Sequence, residues 1–386
     1  MLRRYIASQI YRPTIRKMST SPQPRITPDT FLHTVSLRKS RPGSTPSSSR
    51  VTIFMISGNP GLIGYYHIFL SLLADKLGSR GAQIQSSSHA SEFQIYGHSL
   101  GGFELDQPEN LEAGKRLFDL EDQICYVQGK LDGFLAGAET KQKVILVGHS
   151  VGSYIAMEIL RRHRERSDAK AGAGADKADF DIVGGIMLFP TVVDIAKSPS
   201  GQKLTQLLYF IPQLALVVGF LARVLATLLP GALLRGLIKN VMGSPPDSAV
   251  GTTAAFIKSK RGVRQALFVP VPISRSLHIS VGRASNGCRH MAADEMRTIT
   301  SDKWSDDVWG VSTANEPLTR LFFYFGRNDH WVAERTRDEI IELRGRIEGG
   351  PTMSVCELGL PHAFCLRHND IMAEKVADMI MDIVSA

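Results

Sequence analysis

Cysteine is scarce: Cys125, Cys288, Cys356 and Cys365 are all that 386 residues contain. None stands at a spacing from histidine that makes a zinc site, and none neighbours a group that would activate a thiolate. The set fits reduced, mostly buried thiols of an intracellular protein. Acidic residues are missing from the start of the chain. Arg3, Arg4, Arg12, Arg16, Lys17 and Arg25 precede the first acid, Asp29, and so supply much of the net charge of +8. A surplus gathered in a tail argues against a basic folded face, and therefore against a nucleic-acid partner. The early apolar stretches are short and broken by arginine, so no secretory signal peptide is expected. The Arg- and Ser-rich composition up to residue 28 matches a mitochondrial presequence. The alternative reading is a disordered basic tail, assigned to 1–32, with Met18 as a second start. Internal repeats are absent.

What is present is alternation of strand-like and helix-like segments. "FLHTVSLRK" alternates as a strand, and "VTIFMIS" is the continuous apolar run of a strand buried on both faces. "IFLSLLADKLG" carries Phe69, Leu72, Leu73 and Leu77 at helical spacing, with Gly78 as its expected stop. "EFQIY", "KVILV", "IVGGIMLF", "RLFFYFG" and "MSVCEL" read as further strands. Leu117 to Leu135, "YIAMEILRRHRER", "AERTRDEIIELRG" and "NDIMAEKVADMIMDIV" read as helices, and "AKAGAGADKAD" as a surface loop. Strands alternating with helices predict a mostly parallel sheet covered on both faces. The expected core is 33–189 with 318–386, interrupted by a helical cap over 190–317.

Gly-x-Ser-x-Gly occurs twice, in "GHSLGG" at 97–102 and "GHSVGS" at 148–153. This turn presents a nucleophilic serine between a buried strand and a helix, whose N-terminus favours developing negative charge. Around Ser150 every part is legible: the strand Val144 to Val147, the elbow Gly148, His149 and Gly152, then Val151, Ile155 and Ile159 at helical spacing. Ser99 follows an alternating strand and precedes a stretch without a helical stripe that stops at Pro108. It reads as a loop serine on the rim of the site.

A serine nucleophile needs a base, and the base needs an orienting acid. Asp329 in "FYFGRNDHWV" and His362 in "CELGLPHAF" each follow a strand, in the required order. His330 and Asp338 are the fallback pair. "MISGNPGLIGYYHIF" supplies the second oxyanion donor after an early strand. Pro60 has no N–H, so the expected donors are the backbones of Asn59 and Val151.

Five stretches, "GNPGLIGYYHIFL", "GHSVGSYIAMEIL", "FPTVVDIAKSPSG", "FYFGRND" and "LPHAF", follow one another from about residue 51 onward. In combination they resemble the lipid-droplet-associated hydrolases. The resemblance implies an α/β-hydrolase fold, association with lipid droplets and endoplasmic reticulum, and a role in neutral-lipid handling. It carries the nucleophile onto Ser150, the acid onto Asp329 and the base onto His362. It also implies that "YGHSLGGF" corresponds to a turn built around a histidine without an elbow serine, which leaves His98 as a site-rim residue. The chain departs from the family in its long basic N-terminus, in polar insertions at 40–50, 167–180 and 283–292, and in His330, where proline is expected.

From Leu204 to Ala222 the cap has no charged residue, a length sufficient by count for a membrane span. A single crossing is excluded, because the strands on either side belong to one sheet. A hairpin or monotopic helix pair over 204–240, inserted in one leaflet of the droplet monolayer or endoplasmic reticulum membrane, remains, against a cap buried on the core. The reaction expected is that of a serine carboxylic ester hydrolase on neutral lipid esters, sterol esters or acylglycerols, at the droplet surface during lipid storage and turnover. An acyltransferase differs only in using an alcohol for water. The alternative of another class is a weakly active or inactive droplet protein with a structural or tethering role. No cofactor or metal is implied, and the acyl-chain length and oligomeric state are not legible.

Overall fold

The computed structural model describes residues 23–37, 50–83, 92–106, 117–136, 141–172, 180–210, 214–266, 291–311 and 319–385. Residues 1–22 of the presequence reading, 40–49 of the insertion at 40–50, 283–290 of the insertion at 283–292, and Cys288 lie outside them.

Among the described residues one sheet is built from β1 (Arg25–Thr27), β2 (Thr30–Ser36), β3 (Arg50–Ile56), β4 (Glu92–His98), β5 (Gln142–His149), β6 (Phe180–Leu188), β7 (Arg320–Phe325) and β8 (Thr352–Val355). The strand order is β1-β2-β4-β3-β5-β6-β7-β8. β2 pairs antiparallel with both neighbours, and every other pairing is parallel. The helices are α1 (His67–Gln83), α2 (Leu120–Leu135), α3 (Val151–Gly172), α4 (Pro199–Phe210), α5 (Leu214–Leu228), α6 (Gly231–Val241), α7 (Asp247–Lys258), α8 (Lys260–Ala266), α9 (Met291–Thr298), α10 (Glu334–Arg344) and α11 (Asn369–Val384). Parallel neighbours require crossover connections, and the helices provide them. This is the α/β-hydrolase fold.

The apolar run of β5 explains the two-sided cover. Val144 and Leu146 point into a core layer with Ile124 and Leu131 of α2 and Ile155 and Ile159 of α3. Ile145 and Val147, one residue out of phase, point into the opposite layer with Phe69 and Leu73 of α1 and Met372 and Val376 of α11. α2 begins on a reciprocal capping pair, Asp119 and Asp122, each carboxylate accepting from the other's backbone N–H.

Three expectations are corrected here. Gly78 does not stop α1, which runs on to Gln83. A Cβ on Gly78 would stand 3.3 Å from Val35, and one on Gly81 only 2.2 Å from Leu37, so these glycines let α1 lie close against the β2 segment. α3 extends to Gly172, four residues into the expected loop, whose remaining residues 173–179 are not described. The fold also starts before residue 33. β1 and the first residues of β2 pair as Arg25 with Leu32 and Thr27 with Thr30, inside the range assigned to the tail. Of the thiols, Cys356 and Cys365 are buried, but Cys125 is exposed.

α4 to α9 are inserted between β6 and β7. Leu234 and Ile238 of α6 pack on Val250 and Ala254 of α7. The inserted segment is tied to the core by Tyr65 Oη with Thr253 Oγ1 at 2.8 Å and by Gln265 Nε2 donating to Phe118 O at 2.7 Å. Trp304 Nε1 donates to the buried Glu158 Oε1 at 2.8 Å. No helix among the described residues is long and apolar enough to cross a membrane.

Candidate active site

β5 runs into α3 through one residue, Ser150, which sits in the left-handed region at φ 55°. A non-glycine residue there is strained, and the surroundings hold it. Its N–H donates to Leu188 O at 3.0 Å, and its carbonyl accepts from Ser153 N–H at 2.9 Å. The flanking glycines are required by close approach. A Cβ on Gly148 would lie 2.5 Å from Gly152 O, and one on Gly152 2.3 Å from Ile56 O.

His362 Nε2 stands 2.9 Å from Ser150 Oγ, and His362 Nδ1 stands 2.7 Å from Asp329 Oδ2. A carboxylate only accepts, so Nδ1 carries the proton and Nε2 is left to accept from the serine hydroxyl. Asp329 follows β7 and its side chain is 1% exposed. Its other oxygen accepts from Trp331 N–H at 2.8 Å, which fixes the carboxylate plane. The two loops that carry acid and base thus bring residues 33 apart in sequence onto the end of β5.

The turn after β3 closes over the elbow. A Cβ on Gly58 would be 2.9 Å from Ser150 Cβ and 3.0 Å from His149 Nδ1, so only glycine lets the loop come this near. Gly58 N–H donates to Tyr66 Oη at 3.0 Å, and Gly61 N–H to Gly58 O at 2.7 Å. The Asn59 N–H has no hydrogen-bond partner among the described residues. Val151 is the first residue of α3, where N–H groups have no intrahelical acceptor. Both expected donors are therefore open to a developing oxyanion. The Asn59 side chain reaches the cap, donating from Nδ2 to Glu295 Oε1 of α9 at 3.2 Å.

A cavity of about 440 Å³ opens on Ser150 and His362. Ile195, Met242, Met296, Trp331 and Leu366 make it largely apolar, and Thr191 and Glu295 are polar points in its wall. Thr191 Oγ1 is buried without a hydrogen-bond partner among the described residues. Burial pushes the Cys365 thiol, also in the wall, up to about 12, so it stays protonated. Among the described residues no group of His, Cys, Asp or Glu is arranged to hold a metal ion.

The remaining sequence candidates fall elsewhere. Ser99 does not lie on the rim. It is 1% exposed and its Oγ accepts from Ile63 N–H at 3.3 Å, holding the "GHSLGG" loop to the turn before α1. β3 lies between its strand and β5, which keeps it away from Ser150. His98 does not line the cavity either; its Nδ1 donates to Ser99 O at 2.6 Å. His330 and Asp338 are exposed, and Asp338 pairs with Arg337. Sequence reasoning missed Tyr66, Thr191, Glu295 and Trp331. Three of them left a trace, Tyr66 in "GNPGLIGYYHIF", Thr191 in "FPTVVDIAKSPSG" and Trp331 in "FYFGRNDHWV", whereas Glu295 left none.

A family profile described as "Lipid-droplet associated hydrolase" matches residues 49–270 and 275–365. The lipid droplet-associated hydrolase of Gallus gallus is 26% identical over 335 residues, covering 86% of this chain and 85% of that protein. The Homo sapiens protein of the same name is 25% identical over 345 residues, covering 87% and 86%. Among solved structures, the haloalkane dehalogenase DbeA from Bradyrhizobium elkani overlays with a TM-score of 0.48 at 11% identity, covering 94% of this chain and 97% of that one.

Proposed function

The chain belongs to the lipid-droplet-associated hydrolase family, and we propose that it is a serine carboxylic ester hydrolase acting on neutral lipid esters at the droplet surface. The observation that carries this reading is the continuous line Ser150 Oγ, His362, Asp329 at 2.9 and 2.7 Å, at the mouth of an apolar cavity. His362 Nε2 takes the proton as Ser150 Oγ attacks the ester carbonyl, and Asp329 stabilises the imidazolium. The N–H groups of Asn59 and Val151 receive the oxyanion. The protonated alcohol leaves, and water activated by His362 releases the acyl group from Ser150. Sterol esters and acylglycerols fit the apolar wall.

Droplet contact is supported by the outer face of α5 and α6. Phe220, Leu221, Leu225 and Leu228 are exposed on α5, and Leu233, Leu237 and Val241 on α6. Such a band, rimmed by polar surface, is a membrane or partner contact rather than ordinary surface. Met242, which follows Val241, lines the cavity, and this neighbourhood supports entry of a lipid from the monolayer. In this reading the contact is monotopic, on the droplet or the endoplasmic reticulum membrane.

The test is fluorophosphonate labelling together with hydrolysis of a panel of sterol esters, acylglycerols and simple esters. Ser150→Ala should abolish both, with turnover falling about 10⁶-fold. Labelling that survives in Ser150→Ala overturns the nucleophile. A wild-type protein that labels but cleaves no ester favours the tethering role.

A further inference from the structure

We infer that His149 and Tyr66 are positioning residues that lock the oxyanion loop and the base loop to one another, an inference that rests on the serine-hydrolase reading above. His149 is the last residue of β5 and is buried, yet both its ring nitrogens are engaged. Nε2 stands 2.9 Å from the backbone oxygen of His362. A carbonyl only accepts, so Nε2 carries the proton. Nδ1 stands 2.7 Å from Tyr66 Oη. The Tyr66 oxygen already accepts from Gly58 N–H at 3.0 Å, which leaves its own O–H to donate to Nδ1. A single directed line therefore runs from Gly58 N–H through Tyr66 and His149 to the His362 carbonyl, each donor matched to one acceptor.

The line is consistent only with a neutral His149. A second proton on Nδ1 would face the Tyr66 hydroxyl and leave its O–H without an acceptor. Burial, and then the nearby His362, hold the His149 imidazole well below the ordinary histidine range. Burial likewise keeps Tyr66 protonated. Phe364 stands edge-on to the His149 ring at 5.1 Å and Phe189 at 6.1 Å, which packs the ring between aromatic neighbours.

Two consequences reach the reacting atoms. The His362 ring projects from the peptide whose carbonyl His149 holds, so this bond fixes where Nε2 sits relative to Ser150 Oγ. The Gly58 N–H is occupied by Tyr66, which leaves the N–H of Asn59 as the loop's donor to the oxyanion. His149 and Tyr66 also contribute to the cavity wall, but their polar atoms are all engaged within the line. Their effect passes through the two loops.

His149→Phe keeps a ring without either bond, His149→Gln restores an N–H toward the His362 carbonyl, and Tyr66→Phe removes one hydroxyl. Each is assayed in the full chain by steady-state hydrolysis of p-nitrophenyl butyrate, with thermal melts to verify folding. A misplacement of about 1 Å costs on the order of 100-fold, so His149→Phe should lower kcat about 100-fold with KM nearly unchanged. Tyr66→Phe should lower kcat about tenfold, and His149→Gln should recover about tenfold over His149→Phe. A folded His149→Phe with wild-type kcat overturns the inference, and so does a glutamine variant no better than phenylalanine. If His149→Phe fails to fold, an unchanged kcat in Tyr66→Phe overturns it. Histidine ¹⁵N spectra provide a readout independent of turnover: His149 should appear as the Nε2–H tautomer and not titrate between about pH 5 and 8, and the opposite tautomer breaks the line. If wild type neither labels with fluorophosphonate nor turns over, the serine-hydrolase reading fails and the positioning role fails with it. If wild type labels and the variants match it, the positioning role fails alone.

Discussion

Gly58 and Gly152 are the residues at which one methyl group decides whether the site can assemble. A Cβ on Gly152 meets the Ile56 carbonyl at 2.3 Å, a backbone atom that cannot swing aside. Gly152→Ala should therefore destabilise the protein by about 1–3 kcal/mol, as overpacking does, read as a lower urea midpoint. A Cβ on Gly58 meets the Ser150 side chain at 2.9 Å and the His149 carbonyl at 3.0 Å, so Gly58→Ala should lift the loop from the elbow. Losing one oxyanion donor costs about 10²–10³ in kcat, and a fall of that size in a folded variant is the expected result. Ser99→Ala should behave in the opposite way. It leaves the buried Ile63 N–H without its acceptor, at a cost of about 1–3 kcal/mol, while activity stays within a few-fold of wild type. Loss of labelling in a folded Ser99→Ala would refute the separation of the two motifs. That separation was legible because strand and helix flank Ser150 in the sequence itself. Burial of His149 and the unpartnered Thr191 hydroxyl were not, since both depend on loops that arrive from distant strands.

At the scale of elements, α6 has two apolar stripes. Leu234 and Ile238 face α7, whereas Leu233, Leu237 and Val241, at four-residue intervals, face outward. Val241 is 77% exposed and Leu233 61%, so replacing them removes little packing. The triple change Leu233→Ser, Leu237→Ser and Val241→Ser should leave the melting temperature and p-nitrophenyl butyrate turnover unchanged and release the protein from phospholipid-coated oil droplets in a flotation assay. Flotation equal to wild type would overturn the assignment of this face. The sequence showed the apolarity of 204–240 but could not say which side chains pack, because periodicity alone does not distinguish an inner stripe from an outer one. The central strands were easier to read, being continuous apolar runs flanked by turns. β1, three exposed residues on an edge, has no such signal. Gly78 misled for a related reason: a helix accepts glycine wherever a neighbouring strand comes close enough to need it.

For the whole molecule, buried histidines set the response to acid. His33, His67, His98, His149 and His163 are each held below the ordinary histidine range, in every case chiefly by burial. His67 is lowered to about 4, and its Nε2 is buried without a hydrogen-bond partner among the described residues. Between that value and the unfolded value of about 6.5, the unfolded chain binds more protons than the folded one, so stability falls as pH falls. Stability is full above the unfolded value and declines through the whole interval toward about 4. The ion-paired Glu158 and Glu374, whose carboxyls are held low, lose their contribution only below the usual carboxylate range, whereas Asp29, held high by burial, works the other way just above it, where falling pH favours the folded state. The loss of stability on the way down from neutral pH therefore belongs to the histidines, since Asp29 opposes it and the two glutamates act below it. Urea unfolding should give a free energy lower by a few kcal/mol at about pH 5 than at about pH 7.5, above the window of the two glutamates. His67→Phe, which keeps a ring against Phe31 at 6.1 Å, should flatten part of that slope. An equal slope in His67→Phe would remove His67 from the account, and a flat wild-type curve over this range would show that the buried histidines do not govern acid stability.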